Sequence, residues 1–481
     1  MMFVSLVRIL GLLLALVSAT MILPICAALA YGEYGVISSF LIPIIFCFIV
    51  EIVLFFSTRR REFKLTSRSG FAVVALAWVS TSFLGAVPFM ISGAIPDFAD
   101  ALFESVSGYT TTGATILAEV ENLPRSINLW RMQMHWLGGM GIVALTVALL
   151  PILGVGGFQL IKAETTGPEK GKITPKITVT AKILWFIYIA FTLVQTVLLM
   201  LAGMDFFDAL GHSFATVGTG GFSSKNLSLG GFANVPAEWI CIIFMLFAGV
   251  NFSLYYRLFT GRGIELLQNT ELKAYLTIVF GAIFIVVPFI MPLYHSFGTA
   301  FRYAAFHVVS IITTTGFSTA DYSKWHPAAQ AVLFFLMFIG GCSGSTAGGI
   351  KVIRWVIMGK QMGIEVKRML HPHGVFSIQL NKHAARKDMV FNVSAFMFLY
   401  FFVVMITAII TAVDGADLLT SVTASLAITG NIGPGFGNVG PAYNFGSFSS
   451  FTKYWLSFAM ITGRLELYTM LVFFMPAFWK K

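Results

Sequence analysis

The chain has 481 residues, of which 57% are hydrophobic and only 11% charged, and its formal net charge is +10. Soluble domains carry about 25% charged residues, so this composition excludes a soluble protein. The apolar runs are also too long for the alternating strands of a membrane β-barrel, and the chain is predicted to be an all-α integral membrane protein.

Ten apolar segments are predicted to cross the membrane as helices. They lie at roughly 3–30, 36–57, 69–92, 126–157, 181–203, 237–259, 274–293, 328–357, 389–413 and 451–478. Most lysines and arginines fall in both chain ends and in alternate loops. These loops are 58–68, 158–182, 257–273 and 351–388. The positive-inside rule places that side and both termini in the cytoplasm. Membrane orientation therefore accounts for the net positive charge, and nucleic-acid binding is not needed to explain it.

The first 68 residues are predicted to form two leading transmembrane helices. Ala28-Leu29-Ala30 resembles a signal-peptidase site. The apolar run before it extends for about twenty residues, however, which is longer than the 7–15 residues of a signal-peptide core. A retained first helix is therefore favoured over a cleaved leader.

One pattern then recurs four times: an apolar helix, a half-length helix, a glycine turn and a second apolar helix. The four units are predicted at 69–157, 158–272, 273–388 and 389–481. The half-length helices reach only about 15–20 Å at 1.5 Å per residue, so they cannot cross a ~30 Å bilayer core. Each unit begins on the cytoplasmic side, so the repeats are parallel.

The loops on the outer side are rich in acidic residues. Aspartate pairs stand near the start of three half-length helices, namely Asp97/Asp100, Asp205/Asp208 and Asp414/Asp417. Helix capping is their favoured role, because carboxylates stabilise the positive helix N-terminus. The acidic excess of this face would also concentrate cations at the mouth of a pore.

Each half-length helix runs into a glycine that follows Thr or Ile. The four stretches are SVSGYTTTGAT around Gly113, SFATVGTGGFS around Gly220, VSIITTTGFST around Gly316 and ASLAITGNIGPG around Gly433. Non-helical backbone at membrane depth persists where it is buried in protein or lines a cavity, and there its carbonyl oxygens can replace a cation's hydration shell. One such motif is explained by small-residue packing, but four at similar spacing predict four segments around one pore. The predicted cation ligands are Thr111, Thr112, Gly113, Gly218, Thr219, Gly220, Thr314, Thr315, Gly316, Asn431, Ile432 and Gly433.

With these motifs the whole chain resembles the Trk/Ktr/HKT superfamily of potassium transporters, most closely the bacterial TrkH-type membrane subunit. The resemblance implies K⁺ coordination at Gly113, Gly220, Gly316 and Gly433. Plant relatives that favour Na⁺ carry Ser at the first position, whereas this chain has Gly113, which favours K⁺, with Rb⁺ also permeating. The resemblance further implies a homodimer in the inner cell membrane and a cytoplasmic nucleotide-binding regulator of the TrkA type, with no covalent cofactor.

The second helix of the third unit contains the sequence GGCSGSTAGGIK, from Gly340 to Lys351. A straight helix is not expected there, since each Gly costs up to about 1 kcal/mol relative to Ala. The G-x4-G spacing fits part of a phosphate loop, but Ile350-Lys351 stands where Lys-Ser/Thr is required. A small-residue packing face is the other alternative. We predict an intramembrane gating loop, as the resemblance also implies, formed by Gly344, Ser345, Thr346, Ala347, Gly348 and Gly349.

Arg464 stands in the last apolar segment, about thirteen residues from its start and therefore around 20 Å deep. A charge buried at such depth marks a functional site. Arg464 is predicted to bind carbonyl oxygens of the 343–349 loop and to add an electrostatic barrier below the filter. The alternative is a structural ion pair, for which Glu466 is a weak partner because residues two apart point away from each other on a helix.

These features predict K⁺ uptake through a single-chain pore, gated by the 343–349 loop and Arg464 under a cytoplasmic regulator. The alternative is an alternating-access or H⁺/Na⁺-coupled symporter, a mechanism that usually involves inverted rather than parallel repeats. The sequence contains no Ser/His/Asp or Cys/His set, catalytic carboxylate pair or zinc-ligand spacing, so an enzyme is not expected.

Overall fold

The structure, a computed structural model, describes residues 2–58, 67–141, 177–261, 263–381, 383–384 and 387–479. Within these ranges the chain is mostly α-helical, and its one strand pair is the antiparallel hairpin of β1 (Gln379–Leu380) and β2 (His383–Ala384). The predicted all-α architecture is therefore confirmed. Residues 59–66 of the predicted basic loop 58–68, 142–157 of the predicted segment 126–157 and 158–176 of the predicted loop 158–182 lie outside the described residues.

The leading region contains α1 (Met2–Ala19), α2 (Ile22–Tyr31) and α3 (Ile37–Thr58). The first predicted helix is interrupted at Thr20 and Met21, but α1 and α2 together still form an apolar element long enough to span a membrane. Helices α1 and α3 pack on α4, and α2 packs on α6. The leading helices therefore flank the first repeating unit.

The repeating units follow in chain order. The first contains α4 (Ser67–Ile91), α5 (Phe98–Tyr109) and α6 (Arg125–Gly139). The second contains α7 (Ile177–Leu201), α8 (Phe206–Val217), α9 (Val235–Ala248), α10 (Phe252–Phe259) and α11 (Ile264–Gln268). The third contains α12 (Thr270–Tyr294), α13 (Phe297–Ile312), α14 (Pro327–Leu336) and α15 (Val352–Leu370). The fourth contains α16 (Lys387–Val413), α17 (Leu418–Thr429), α18 (Ser450–Arg464), α19 (Tyr468–Leu471) and α20 (Pro476–Trp479).

The first helix of each unit, that is α4, α7, α12 or α16, is a continuous apolar helix of spanning length. Among the described residues, six helical elements are long and apolar enough to cross a membrane, or seven if α9 and α10 count as one bent span. Large apolar side chains such as Phe284, 62% exposed, cover their outer faces. Such a surface suits contact with lipid tails.

The second helices of the second and fourth units are interrupted, which was not predicted. The prediction of one continuous helix at 237–259 is wrong. Helix α9 ends at Ala248, and the axes of α9 and α10 differ by 92°. Asn251 starts α10 by accepting a hydrogen bond from the backbone N–H of Ser253. The span expected at 451–478 is also interrupted, because α18 ends at Arg464 and the next residues turn. The sequence analysis placed such a break in the third unit alone.

The half-length helices α5, α8, α13 and α17 each pack against the first helix of their own unit. Contacts between units follow an order: α8 packs on α6, α13 on α9, and α5 on α18. The last contact joins the fourth unit back to the first. Helix α16 packs on α15, which joins the fourth unit to the third, so the contacts between the four units form a closed cycle.

Aspartates cap three of the half-length helices, as predicted. Asp97, Asp205 and Asp417 accept hydrogen bonds from backbone N–H groups at distances of 3.1, 2.8 and 3.4 Å. Asp414 does not cap α17, because its carboxylate accepts the N–H of Ser449 instead. These bonds hold the outer ends of the half-length helices in place.

Candidate ion pathway

The half-length helices all end in the same backbone turn. The second residue after each helix has a positive φ, and the fourth is a glycine that also has a positive φ. The non-glycine members are Thr111 (56°), Thr219 (54°), Thr314 (54°) and Asn431 (53°). The glycines are Gly113 (78°), Gly221 (82°), Gly316 (81°) and Gly433 (99°). A β-branched residue in this region costs on the order of 1–3 kcal/mol, and such strain clusters at functional sites.

Hydrogen bonds confirm that the four turns are equivalent. The residue between the two positive-φ positions donates its N–H to a carbonyl oxygen five residues earlier. These residues are Thr112 (3.0 Å), Gly220 (2.8 Å), Thr315 (2.8 Å) and Ile432 (2.8 Å). The same backbone path is therefore built from four different sequences.

The second unit differs from the sequence prediction by one residue. Gly221 has the positive φ, whereas Gly220 occupies the place of Thr112 and Thr315 in the other units. Gly218, predicted as a ligand, directly follows Val217, the last residue of α8. Because Gly220 and Gly221 are adjacent, the sequence motif alone does not show which of them completes the turn.

The four turns form a closed ring. A Cβ atom built on each positive-φ glycine would lie impossibly close to a backbone carbonyl oxygen of the following unit. The pairs are Gly113 with Gly220 (2.0 Å), Gly221 with Thr315 (2.0 Å), Gly316 with Ile432 (2.2 Å) and Gly433 with Thr112 (2.8 Å). We call the carbonyl oxygens of Thr112, Gly220, Thr315 and Ile432 the carbonyl ring. Glycine is needed beside it because no side chain fits.

Threonine hydroxyls next to the carbonyl ring form hydrogen bonds with neighbouring side chains. The Oγ1 atoms of Thr112 and Thr110 lie 2.8 Å apart, as do those of Thr315 and Thr313. The Asn431 amide Nδ2 donates to Thr112 Oγ1 at 2.8 Å and so links the fourth unit to the first. The hydroxyls predicted as ligands at Thr112 and Thr315 are thus hydrogen-bonded within the protein, and the backbone carbonyls remain the shared feature of all four units.

Buried polar side chains also anchor the segments that leave the ring. Glu104 accepts the N–H of Ile116 at 3.1 Å and pairs with Arg131 at 2.7 Å. His212 and His307, at the equivalent positions of α8 and α13, bond Ser223 Oγ (2.8 Å) and the Ala320 carbonyl (3.0 Å).

Ala424 stands at the equivalent position of α17, where Thr423 accepts the N–H of Phe436 at 3.0 Å instead. These anchors were not predicted from the sequence. Their signal was a glutamate or histidine inside an otherwise apolar half-length helix.

The predicted break in the third unit is present between α14 and α15. The chain folds back on itself, since the N–H of Gly340 bonds the Ile350 carbonyl at 2.9 Å. Cys342 donates its N–H to the Gly249 carbonyl (2.8 Å), which attaches this segment to the bend between α9 and α10. We call residues 343–349 the intramembrane loop.

The intramembrane loop contacts the turns of the third and fourth units. The N–H of Gly348 donates to Thr314 Oγ1 at 2.6 Å. A Cβ atom on Gly348 would lie 2.6 Å from the Gly430 carbonyl oxygen, so only glycine permits this approach. Thr314 stands one residue before Thr315 of the carbonyl ring, and Gly430 stands two residues before Ile432. The intramembrane loop therefore lies directly beside the carbonyl ring.

Arg464 joins the intramembrane loop to the first unit. Its Nη1 donates to the Thr346 carbonyl at 2.7 Å, which is the predicted contact. Its Nη2 donates to the carbonyl oxygens of Gly138 (2.9 Å) and Gly139 (3.1 Å) at the end of α6, a contact that sequence reasoning missed. The guanidinium thus bridges units that are far apart in sequence.

Other charged residues lie near the intramembrane loop and Arg464. Lys351 is 2% exposed, and its ammonium donates to the Ala347 carbonyl within the loop region. Glu466 pairs with Arg354 of α15 at 2.8 Å. Lys351 is not among the predicted site residues, because it falls in the basic segment 351–388 that is predicted to be a cytoplasmic loop.

Six basic residues on the side predicted to face outward each form an ion pair with an acidic residue. The pairs are Arg131–Glu104 (2.7 Å), Arg302–Glu238 (3.0 Å), Lys453–Asp100 (2.5 Å), Lys225–Glu121 (3.2 Å), Lys324–Asp321 (3.4 Å) and Arg125–Asp205 (3.8 Å). The backbone N–H of Asn226 and the Lys225 ammonium hold the pKa of Glu121 below its usual value, so it remains ionised at neutral pH. The acids beyond these pairs give the outer face a negative potential.

Comparisons with known proteins agree with this architecture. A family model described as "TrkH: Cation transport protein" matches residues 36–481. The chain is 41% identical over 490 residues to the "Trk system potassium uptake protein TrkH" of Escherichia coli strain K12, with 100% of both chains covered. It is 40% identical over 482 residues to the protein of the same name in Halomonas elongata, with 98% of each covered. The crystal structure of the potassium transporter TrkH from Vibrio parahaemolyticus matches with a TM-score of 0.87 and 37% identity, covering 100% of both chains.

Proposed function

This chain belongs to the TrkH family of cation transport proteins, and from that membership we propose that it takes up K⁺ through a pore within the single chain. The carbonyl ring is the observation that carries the proposal. It sets one backbone carbonyl from each unit against the positive-φ glycine of the preceding unit, in a closed cycle of four contacts. Rings of backbone carbonyls bind K⁺ by replacing its hydration shell. Relatives named as potassium uptake proteins support K⁺ as the cargo.

The filter proposed here uses the turn that follows each half-length helix. The ligands are backbone carbonyls from Thr111–Gly113, Thr219–Gly221, Thr314–Gly316 and Asn431–Gly433. The strained turns support this role, because a positive φ takes the backbone out of the helical conformation and leaves its carbonyl groups available to a cation. Rb⁺ shares the single charge and low hydration energy of K⁺ and is expected to pass as well.

The proposed gate consists of the intramembrane loop and Arg464. Loop residues Gly344, Ser345, Thr346, Ala347, Gly348 and Gly349 lie against the inner side of the filter, where Gly348 contacts Thr314. Arg464 holds the loop through Thr346 and adds a positive charge beside the path. A fixed cation near a permeating cation raises its energy by a few kcal/mol at an effective dielectric constant of about 20. Conduction would therefore require the loop and Arg464 to separate.

By family resemblance, this gate is controlled from the cytoplasm. The protein is proposed to reside in the inner membrane as a homodimer, with both termini in the cytoplasm and with a nucleotide-binding regulator of the TrkA type. Basic helix α15 extends from the loop and carries Lys367 and Arg368 in its last turn. Movement of α15 by a bound regulator would reach the loop directly.

Flux through purified protein in liposomes tests the proposal. We expect uptake of K⁺ and Rb⁺ down an imposed gradient, with slower uptake of Na⁺, and no requirement for a pH or Na⁺ gradient. Absence of K⁺ and Rb⁺ flux, both with and without a regulator, would contradict the proposal. Uphill K⁺ accumulation driven by a H⁺ or Na⁺ gradient would instead support a coupled symporter.

A further inference from the structure

Glu271 lies at the base of the intramembrane loop. It is the second residue of α12 and is 8% exposed. Its Oε1 atom accepts the backbone N–H of Ser343 at 2.7 Å and that of Ile353 at 3.1 Å. Ser343 is the first residue of the loop, and Ile353 follows the last residue of the loop by four positions. One carboxylate oxygen therefore joins the two ends of the loop.

The same contact caps a helix. Ile353 is the second residue of α15, and the first N–H groups of a helix have no partner within it. A carboxylate at this end is stabilised by the helix dipole. Glu271 thus fixes the start of α15 relative to α12 at the same time as it closes the base of the loop.

A cytoplasmic hairpin is hydrogen-bonded to the residue beside Glu271. The Oδ1 atom of Asn381, in the turn between β1 and β2, accepts the N–H of Thr270 at 2.9 Å. The N–H of Asn381 donates to Thr270 Oγ1 at 3.2 Å. Leu380 is buried in the main apolar core, and Lys360 of α15 donates to the Gln379 carbonyl. The hairpin therefore contacts both helices that Glu271 joins.

We propose that Glu271 is a positioning residue that holds the intramembrane loop against the filter, and that the β1–β2 hairpin is the cytoplasmic contact through which movement reaches it. A displacement of the hairpin would shift Thr270 at the start of α12. The bonds from Glu271 to Ser343 and Ile353 would then break together, and the loop would be released from both ends. This inference rests on the proposed gating role of the loop.

Rb⁺ flux in proteoliposomes, measured for Glu271→Ala and Glu271→Gln, tests the positioning role. Ala removes the acceptor and is expected to raise basal flux roughly ten-fold, the effect of losing a hydrogen bond to a charged acceptor. Gln keeps an oxygen acceptor in the same place and should stay within about two-fold of wild type. Glu365→Gln on the exposed face of α15 is the matched control and should change nothing.

Hydrogen exchange provides a readout that is independent of flux. The amides of Ser343 and Ile353 should exchange about ten-fold faster in Glu271→Ala and at the wild-type rate in Glu271→Gln. Equal behaviour of the Ala and Gln variants in flux and exchange would overturn the proposal, since the acceptor oxygen would then not matter. Wild-type protein without any flux would instead contradict the proposed function itself.

A double-mutant cycle tests the link to the hairpin. Asn381→Gly removes the side-chain acceptor while tolerating the positive φ of 48°, and it should raise flux about three-fold. In the Glu271→Ala background it should add nothing, because the base of the loop is already open. Independent, multiplying effects would contradict the coupling. If Glu271→Ala does not fold, Asn381→Gly and Thr270→Val must each raise flux, and unchanged flux in both would overturn the proposal.

Discussion

The carbonyl ring and the layer beneath it are built in opposite ways. The ring takes one equivalent backbone group from each unit, although the residues are as different as Gly220 and Ile432. The layer beneath takes a loop from the third unit, Arg464 from the fourth and two carbonyls from the first. A shared task such as ion selection tolerates four similar contributions. The proposed gate would need parts that can move separately, and the loop and Arg464 lie where the units depart from their common pattern.

The largest expected effect comes from a substitution that adds one carbon atom beside the carbonyl ring. Gly113→Ala places a Cβ atom 2.0 Å from the Gly220 carbonyl oxygen, at a φ of 78° that L-residues avoid. We expect Rb⁺ uptake to fall by about a hundred-fold or more, because neither backbone can yield without breaking the ring.

The matched control is Gly281→Ala in α12. Nothing lies within 4 Å of a Cβ atom at Gly281, and its helical backbone accepts alanine. Uptake should remain within about two-fold of wild type, and stability should stay level or rise by up to about 1 kcal/mol. Normal uptake by Gly113→Ala would remove the basis for treating the ring as the filter.

The second prediction tests the register of the second unit. Gly221→Ala should reduce uptake as strongly as Gly113→Ala, since its Cβ atom would lie 2.0 Å from the Thr315 carbonyl oxygen. Gly220→Ala should cost roughly ten-fold, because its Cβ atom meets the His135 side chain at 2.1 Å rather than backbone of the ring.

Removing the imidazole distinguishes the two glycines. In a His135→Ala background, Gly220→Ala should return to within about three-fold of the His135→Ala single variant, whereas Gly221→Ala should remain inactive. Rescue of Gly221→Ala would show that the turn has been placed one residue too far along the chain.

The third prediction concerns the asymmetric layer. Arg464→Ala should raise basal Rb⁺ flux about three- to ten-fold and leave the K⁺/Na⁺ ratio unchanged, because the charge lies below the ring rather than in it. Arg464→Lys should be intermediate, since one ammonium cannot serve the Thr346 and Gly138 carbonyls as a planar guanidinium does. Arg368→Ala, at an exposed position of α15, is the control. A changed ion ratio with unchanged flux would abolish the distinction between the two layers.

The smallest expected effect lies at the outer mouth. Lys225→Gln leaves Glu121 without its cationic partner, and the two side chains are 36% and 42% exposed. The added negative potential should raise uptake by less than about two-fold at low ionic strength and have no effect at high salt. Persistence of the effect in 1 M of an impermeant salt would indicate a direct role in permeation rather than steering.

The sequence predicts the four turns after the half-length helices because their signal is repeated. Four half-length helices followed by glycine could be compared with one another, and capping by Asp97, Asp205 and Asp417 followed from helix electrostatics. The comparison failed at Gly220 because an adjacent glycine obscured where α8 ends. Composition alone offers no information on that point.

Features that occur once were harder to predict. The 92° bend after α9 falls between Gly249, which follows α9, and Asn251, which caps α10, and this pattern is not repeated in the described residues of the other units. Arg464 was recognised from its burial, but its contact with Gly138 joins residues more than three hundred positions apart. Glu271 looks like an ordinary residue at the start of a helix until the loop ends are placed beside it. Long-range pairings of this kind leave no periodic signal in one sequence.

Anomalous diffraction from crystals grown in Rb⁺ tests the central claim most directly. A peak is expected on the axis of the carbonyl ring, in contact with the carbonyl oxygens of Thr112, Gly220, Thr315 and Ile432, and it should disappear in Gly113→Ala crystals. Rb⁺ bound elsewhere among the helices, with no peak at the ring, would contradict the proposed filter.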